Sequence, residues 1–143
     1  MGEAGASILD SEVEVMLNKQ AIHKVEAEED EVVSSFFAIP KKTPGKWIPI
    51  CSLIYTNRFI RKTKFRMTTT QMLKSWIRPG YFFILINLQD AYFTILLAKE
   101  ACRFCRFTSK GTTFEYLCLM FGLGSSARVY AKLVKVVLTF LRI

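Results

Sequence analysis

Apolar residues recur along this chain in two different periods, and the switches between them divide it into elements. Within residues 8–19, Ile8, Leu9, Val13, Met16 and Leu17 fall on one helical stripe with acidic residues opposite, the pattern of an amphipathic helix. Residues 34–39 and 47–51 are short apolar runs separated by Pro40-Lys41-Lys42-Thr43-Pro44-Gly45-Lys46, which predicts a hairpin with lysines at its tip. Helical spacing returns over residues 70–77 and is stopped by Pro79-Gly80. Residues 81–86 are apolar at every position, as expected of a central strand covered on both faces. A turn over 88–91 leads to 92–97, and further strands are predicted near 103–108 and 113–118. Gly122 and Gly124 then open a helix from about 126 to 141. The sum is an α+β fold, a mixed sheet with packed helices.

Charge divides the chain unevenly. Residues 1–31 hold nine acidic side chains and two lysines, a net of −7, so the total of +8 leaves +15 on residues 32–143. The expected organisation is an acidic N-terminal helix and connector over 1–31, followed by one basic body over 32–143. The acidic run Glu26–Glu31 reads as a solvated connector. A body this basic favours a polyanionic partner, nucleic acid before an anionic membrane face.

Four cysteines narrow the chemistry further. Cys102 and Cys105 are spaced C-x-x-C, but neither Cys51, Cys118 nor His23 completes a second pair at metal-ligand spacing. In strand-like alternation the two would point to opposite faces. Reduced thiols fit better than zinc. The first dozen residues are not basic then apolar, so no secretory leader is expected. Asn87, Gln89 and Asp90 interrupt the longest apolar stretch, which argues against a membrane span. An intracellular protein, cytoplasmic or nuclear, is expected.

The segment Ile84-Leu85-Ile86-Asn87-Leu88-Gln89-Asp90-Ala91-Tyr92-Phe93 resembles the first catalytic motif of reverse transcriptases from retroviruses and LTR-type or DIRS-like retrotransposons. Further matches follow in that family's order. Phe37-Ala38-Ile39-Pro40-Lys41-Lys42 with Gly45-Lys46-Trp47 resembles the fingers hairpin, and Asn57-Arg58-Phe59-Ile60 follows it. Arg78-Pro79-Gly80 resembles the R-P-G before the first catalytic strand, and Phe121-Gly122-Leu123 the P-F-G-L stretch of the nucleotide pocket. The resemblance covers about residues 8–142 and implies a partial right-hand polymerase, fingers and incomplete palm. It assigns Lys41, Asp90, Ala91, Tyr92, Phe121 and Gly122 to nucleotide binding. On spacing alone, Tyr92 also fits a core aromatic and Lys41 a solvated turn lysine.

The family's activity is RNA-directed DNA polymerisation, an in-line attack supported by two Mg²⁺ ions held on carboxylates. This sequence departs from it at the ligands. Asn87 stands where the resemblance places a metal-binding aspartate, and no Tyr-x-Asp-Asp occurs among the 143 residues. Ile48 occupies the position of a triphosphate-binding arginine, Ser52 and Ile54 those of Asp and Arg, and Met120 and Ala127 those of prolines. The expectation is an inactive reverse transcriptase fragment that needs no metal or other cofactor. Lys42, Lys46, Arg58, Arg61, Lys62, Lys64 and Arg66, with Phe59 and Phe65 interleaved, form a tract suited to weak binding of single-stranded or hybrid nucleic acid. The alternative is a domesticated, non-enzymatic nucleic-acid-binding or interaction module. The apolar strand at 84–87, and Val134, Val137, Leu138 and Leu141 on the last helix, also predict self-association or aggregation.

Overall fold

The computed structural model describes residues 3–141. Helix α1, Glu3–Asn18, buries Leu9, Val13 and Met16, the i, i+4, i+7 row that its sequence spacing predicts. It ends where Gln20 takes a left-handed φ of 54° and Ala21 N donates to Met16 O at 2.9 Å. Strands β1 (Ile22–Val25), β2 (Val33–Pro40), β3 (Trp47–Ser52), β4 (Arg106–Ser109) and β5 (Thr112–Tyr116) form one mixed sheet in the order β1-β5-β4-β2-β3. Only β2 and β4 run parallel. The β4–β5 turn rests on Lys110 and Gly111, with φ of 49° and 76°, the geometry of a two-residue hairpin loop in which both residues are left-handed.

Phe107 is completely buried at the centre of the core. Its ring lies 4.5 Å from Phe36, 5.3 Å from Tyr116 and 5.4 Å from Phe114, centroid to centroid, within the range of favourable aromatic pairs. Four helices complete the described fold: α2 (Ile54–Phe59), α3 (Thr70–Trp76), α4 (Lys99–Cys102) and α5 (Ser126–Leu141). None is long and apolar enough to cross a membrane.

Several expectations need correction. The central strand expected over 81–86 is absent: residues 81–88 have no regular structure, and Phe82 is fully exposed. A strand is held by the edge it pairs with, and no described segment pairs with this one. An apolar run without a partner edge therefore stays in solvent. Next, residues 92–97 begin as a 3-10 helix, Ala91–Thr94, and only then extend, with a single bridge between Leu96 and Cys118.

The strand expected from 103 begins at Arg106, because Lys99–Cys102 is helical and Cys105 N closes a turn onto Cys102 O at 2.8 Å. The C-x-x-C pair is thus a helix end and a turn rather than strand alternation. Both residues are buried, and desolvation pushes the Cys105 thiol up to about 11.

The connector is likewise more than a solvated run. Arg106, on β4, donates to Glu115 Oε2 at 2.7 Å, Glu31 Oε2 at 2.9 Å and Glu28 Oε1 at 3.2 Å. His23 Nε2 lies 3.2 Å from the other Glu115 oxygen. Two acids of the connector are therefore tied to the sheet through one buried guanidinium.

Candidate nucleic-acid and nucleotide site

Lys41 and Lys42 follow the end of β2, and Lys46 precedes β3; all three are exposed. Lys41 N donates to Lys46 O at 2.7 Å, and Gly45 takes a φ of 74°. The hairpin register, Pro40 opposite Trp47, places these three cations at one tip.

Asp90, Ala91 and Tyr92 form the start of the 3-10 helix. Asp90 is left-handed at φ 51°, a conformation that costs a non-glycine residue free energy unless its surroundings hold it. Lys19, just past the end of α1, supplies one restraint: its Nζ donates to Asp90 Oδ2 at 2.7 Å. The Tyr92 ring lies 4.8 Å from Phe121 and 5.4 Å from Tyr130. The structure thus joins Tyr92 to Phe121, and through Tyr130 to α5.

The turn carrying Phe121 and Gly122 is fixed by Asn57 on α2. Asn57 Nδ2 donates to Gly122 O at 2.8 Å, and Asn57 Oδ1 accepts from Gly124 N at 2.6 Å. A Cβ at residue 124 would stand 3.1 Å from that Asn57 oxygen, so a side chain there would push the bracketing amide by a few tenths of an ångström. Gly122 itself sits at φ 89°. Phe121 and Gly122 also line a cavity of about 500 Å³ that includes Ile48 and Cys51 of β3. Lys41, Asp90 and Tyr92 do not line it. Asn87 is exposed on the unpaired 81–88 segment. Among the described residues, no group of three or more His, Cys, Asp or Glu side chains is placed to hold a metal ion.

The basic tract divides into parts. Arg58 lies over the Tyr55 ring, 5.2 Å from its centroid. Arg61, Lys62 and Lys64 line a hollow of about 680 Å³ together with Ser125 and Arg128 at the start of α5. No acidic residue lines it. Arg66 belongs to a neighbouring hollow against Val134, Lys135 and Leu138 of α5. Phe59 and Phe65 are both exposed. Lys42 and Lys46 remain at the hairpin tip and line neither hollow. Sequence reasoning missed Lys19, Asn57 in its bracketing role, and Arg128. Each acts across more than 60 residues of chain, and neither period nor local composition marks such a partner.

The sequence matches no family model and no curated protein. Among solved structures, the fold is similar to the foamy viral protease-reverse transcriptase in complex with double-stranded DNA, with a TM-score of 0.75 at 13% identity. It is similar also to the dRH form of that protein in complex with double-stranded DNA, with a TM-score of 0.74 at 13% identity. Each similarity covers 94% of this chain, which spans only 23% of the dRH chain and 28% of the other. A sheet in which β2 meets β4, Tyr92 packed on Phe121, and Phe121–Gly124 pinned by Asn57 belong to a chain with a retroviral reverse-transcriptase-like fold.

Proposed function

We propose that this chain is a fingers and partial-palm segment of an LTR-type or DIRS-like reverse transcriptase that does not polymerise, holds no catalytic metal pair, and binds single-stranded or hybrid nucleic acid weakly. The observation that carries this reading is the hollow shared by Arg61, Lys62, Lys64 and Arg128, four cations with no acid among its lining residues. Opposed cations of that density are stabilised by a phosphate backbone, and the exposed rings of Phe59 and Phe65 nearby suit stacked bases. The solved neighbours are complexes with double-stranded DNA, which supports a nucleic acid as the partner class. In the nucleotide site, Lys41 would meet phosphate, and Tyr92 with Phe121 would meet the sugar and base.

Fluorescence anisotropy with a labelled single-stranded oligonucleotide tests the binding. Four phosphate contacts predict a log–log salt slope of about −3, or roughly fiftyfold weaker binding on going from 50 to 200 mM salt. Replacing Arg61 and Lys62 together by alanine should lower that slope by about 1.4. Salt-independent binding, or a slope unchanged in the double variant, would remove the basis for the proposal.

The alternative of a domesticated interaction module is favoured by a different observation. Phe82, Ile84 and Leu85 are at least 90% exposed, and Val136, Val137, Leu138 and Phe140 of α5 are exposed as well. Exposed apolar side chains in these numbers drive association, and an unpaired extended segment can add to a sheet edge. At tens of micromolar the chain should elute as larger than its 16.4 kDa monomer. Replacing Phe82 and Leu85 by serine should shift it towards the monomer. A wild-type chain that is monomeric under these conditions contradicts the self-association.

A further inference from the structure

The cavity of about 500 Å³ between α1, β3 and the Phe121–Gly122 turn shares Phe121 and Gly122 with the proposed nucleotide site, but the rest of its lining has a chemistry that the nucleic-acid reading does not use. Its walls are largely apolar, among them Met16, Phe36, Ile50, Phe93 and Met120. No lysine, arginine or histidine lines it. Its polar side chains are Glu12, Tyr116 and Cys51. Glu12 forms no ion pair among the described residues. Tyr116 is only 5% exposed, and burial, with Cys51 and Glu12 beside it, pushes its hydroxyl far up; burial also pushes the Cys51 thiol up to about 12. Both groups are therefore neutral near pH 7, and the cavity presents a single unpaired carboxylate against aromatic and thioether surface.

We infer that this cavity is a binding site for an organic cation, a flat apolar body carrying one positive charge. Its volume lies within the range of small-molecule sites. The charge would pair with Glu12, and the body would rest on phenylalanine faces, which attract cations, and on methionine sulfur, which favours aromatic rings. An anionic ligand meets the reverse arrangement: Glu12 repels it, and Ile48 at the wall supplies no countercharge. Nothing here depends on the hollow of Arg61, Lys62, Lys64 and Arg128, which shares no lining residue with this cavity.

The test uses the whole chain and fluorescence titration with berberine, a flat aromatic cation, beside the neutral probe N-phenyl-1-naphthylamine. Berberine should bind saturably at one site, and Glu12→Gln should weaken it about fivefold, the loss of a Coulombic pair at a part-exposed carboxylate to a quaternary nitrogen that has no N–H to donate. The neutral probe should change less than about twofold in that variant, since no charged contact is lost. Ile48→Arg, which adds a positive charge at a lining residue that is 39% exposed, should weaken berberine at least as much. Far-UV circular dichroism confirms that both variants fold. Berberine binding weakened in both folded variants, with the neutral probe retained in Glu12→Gln, supports the site. Berberine affinity unchanged in both, which is the behaviour of a dye on the exposed 82–88 surface, overturns it, as does the absence of saturable binding to the wild type.

Discussion

Asn87→Asp will not restore Mg²⁺-dependent primer extension. Phosphoryl transfer is accelerated by positioning and by charge stabilisation, so the missing groups are costly: one lost stabilising donor costs on the order of 10²–10³ in rate. Here several are missing together. The new carboxylate would stand on the exposed 81–88 segment, with no strand pairing to fix its direction. Asp90, the nearest acid in sequence, is already engaged by Lys19 at 2.7 Å. No Tyr-x-Asp-Asp is present in these 143 residues, and on the proposed reading Ile48 would leave triphosphate charge unanswered. The measurement is extension on a homopolymer template with Mg²⁺ or Mn²⁺, wild type beside Asn87→Asp. Neither should extend above the protein-free background. Extension by the wild type would overturn the inactive reading, and extension by the variant alone would mean that one carboxylate suffices.

Arg106→Met should destabilise the fold by about 3–5 kcal/mol, because it strands buried carboxylates whose only guanidinium has gone. The Arg106 side chain is 7% exposed, and those of Glu115 and Glu31 are 11% and 10% exposed. Burial alone would push the Glu115 carboxyl up. The hydrogen bonds from Arg106 and His23, with their charges, outweigh burial and hold it below the usual value.

The sign of the pH dependence follows. A carboxyl depressed in the folded state contributes stability that is present above its unfolded value and lost as pH falls through the folded one. The wild type should therefore lose stability on acidification below about pH 4.5. In Arg106→Met the main opposing cause is gone and burial raises the Glu115 carboxyl, so protonation now favours the folded state. The gap between variant and wild type should narrow between pH 7 and 4.5. Urea midpoints at the two pH values read it directly, and an equal gap at both would refute the network's role.

What the sequence by itself determined was whatever rests on short-range order. The period of 3.6 marked α1, short apolar runs about a proline-glycine turn marked the β2–β3 hairpin, Gly122 and Gly124 opened α5, and Pro79-Gly80 ended α3. The ordered motifs singled out the hairpin lysines and the Tyr92 and Phe121 segments, and of these the structure packs Tyr92 on Phe121. In each case the decisive hydrogen bonds or apolar contacts lie within one element or one hairpin, so local spacing carries them.

The tertiary structure alone decided the rest. Residues 81–88 carry a strand's composition but no strand, because a strand exists only where another edge satisfies its amides and carbonyls. Glu28 and Glu31 look like solvated acids in sequence, yet meet Arg106 across more than 70 residues. Lys19 reaches Asp90, Asn57 brackets Gly122 and Gly124, and Arg128 joins Arg61 over comparable spans. Charge counting could find the cations but not which of them converge. Convergence depends on chain closure over long loops, whose outcome is fixed by the packing of the whole core around Phe107 rather than by any residue's neighbours in sequence.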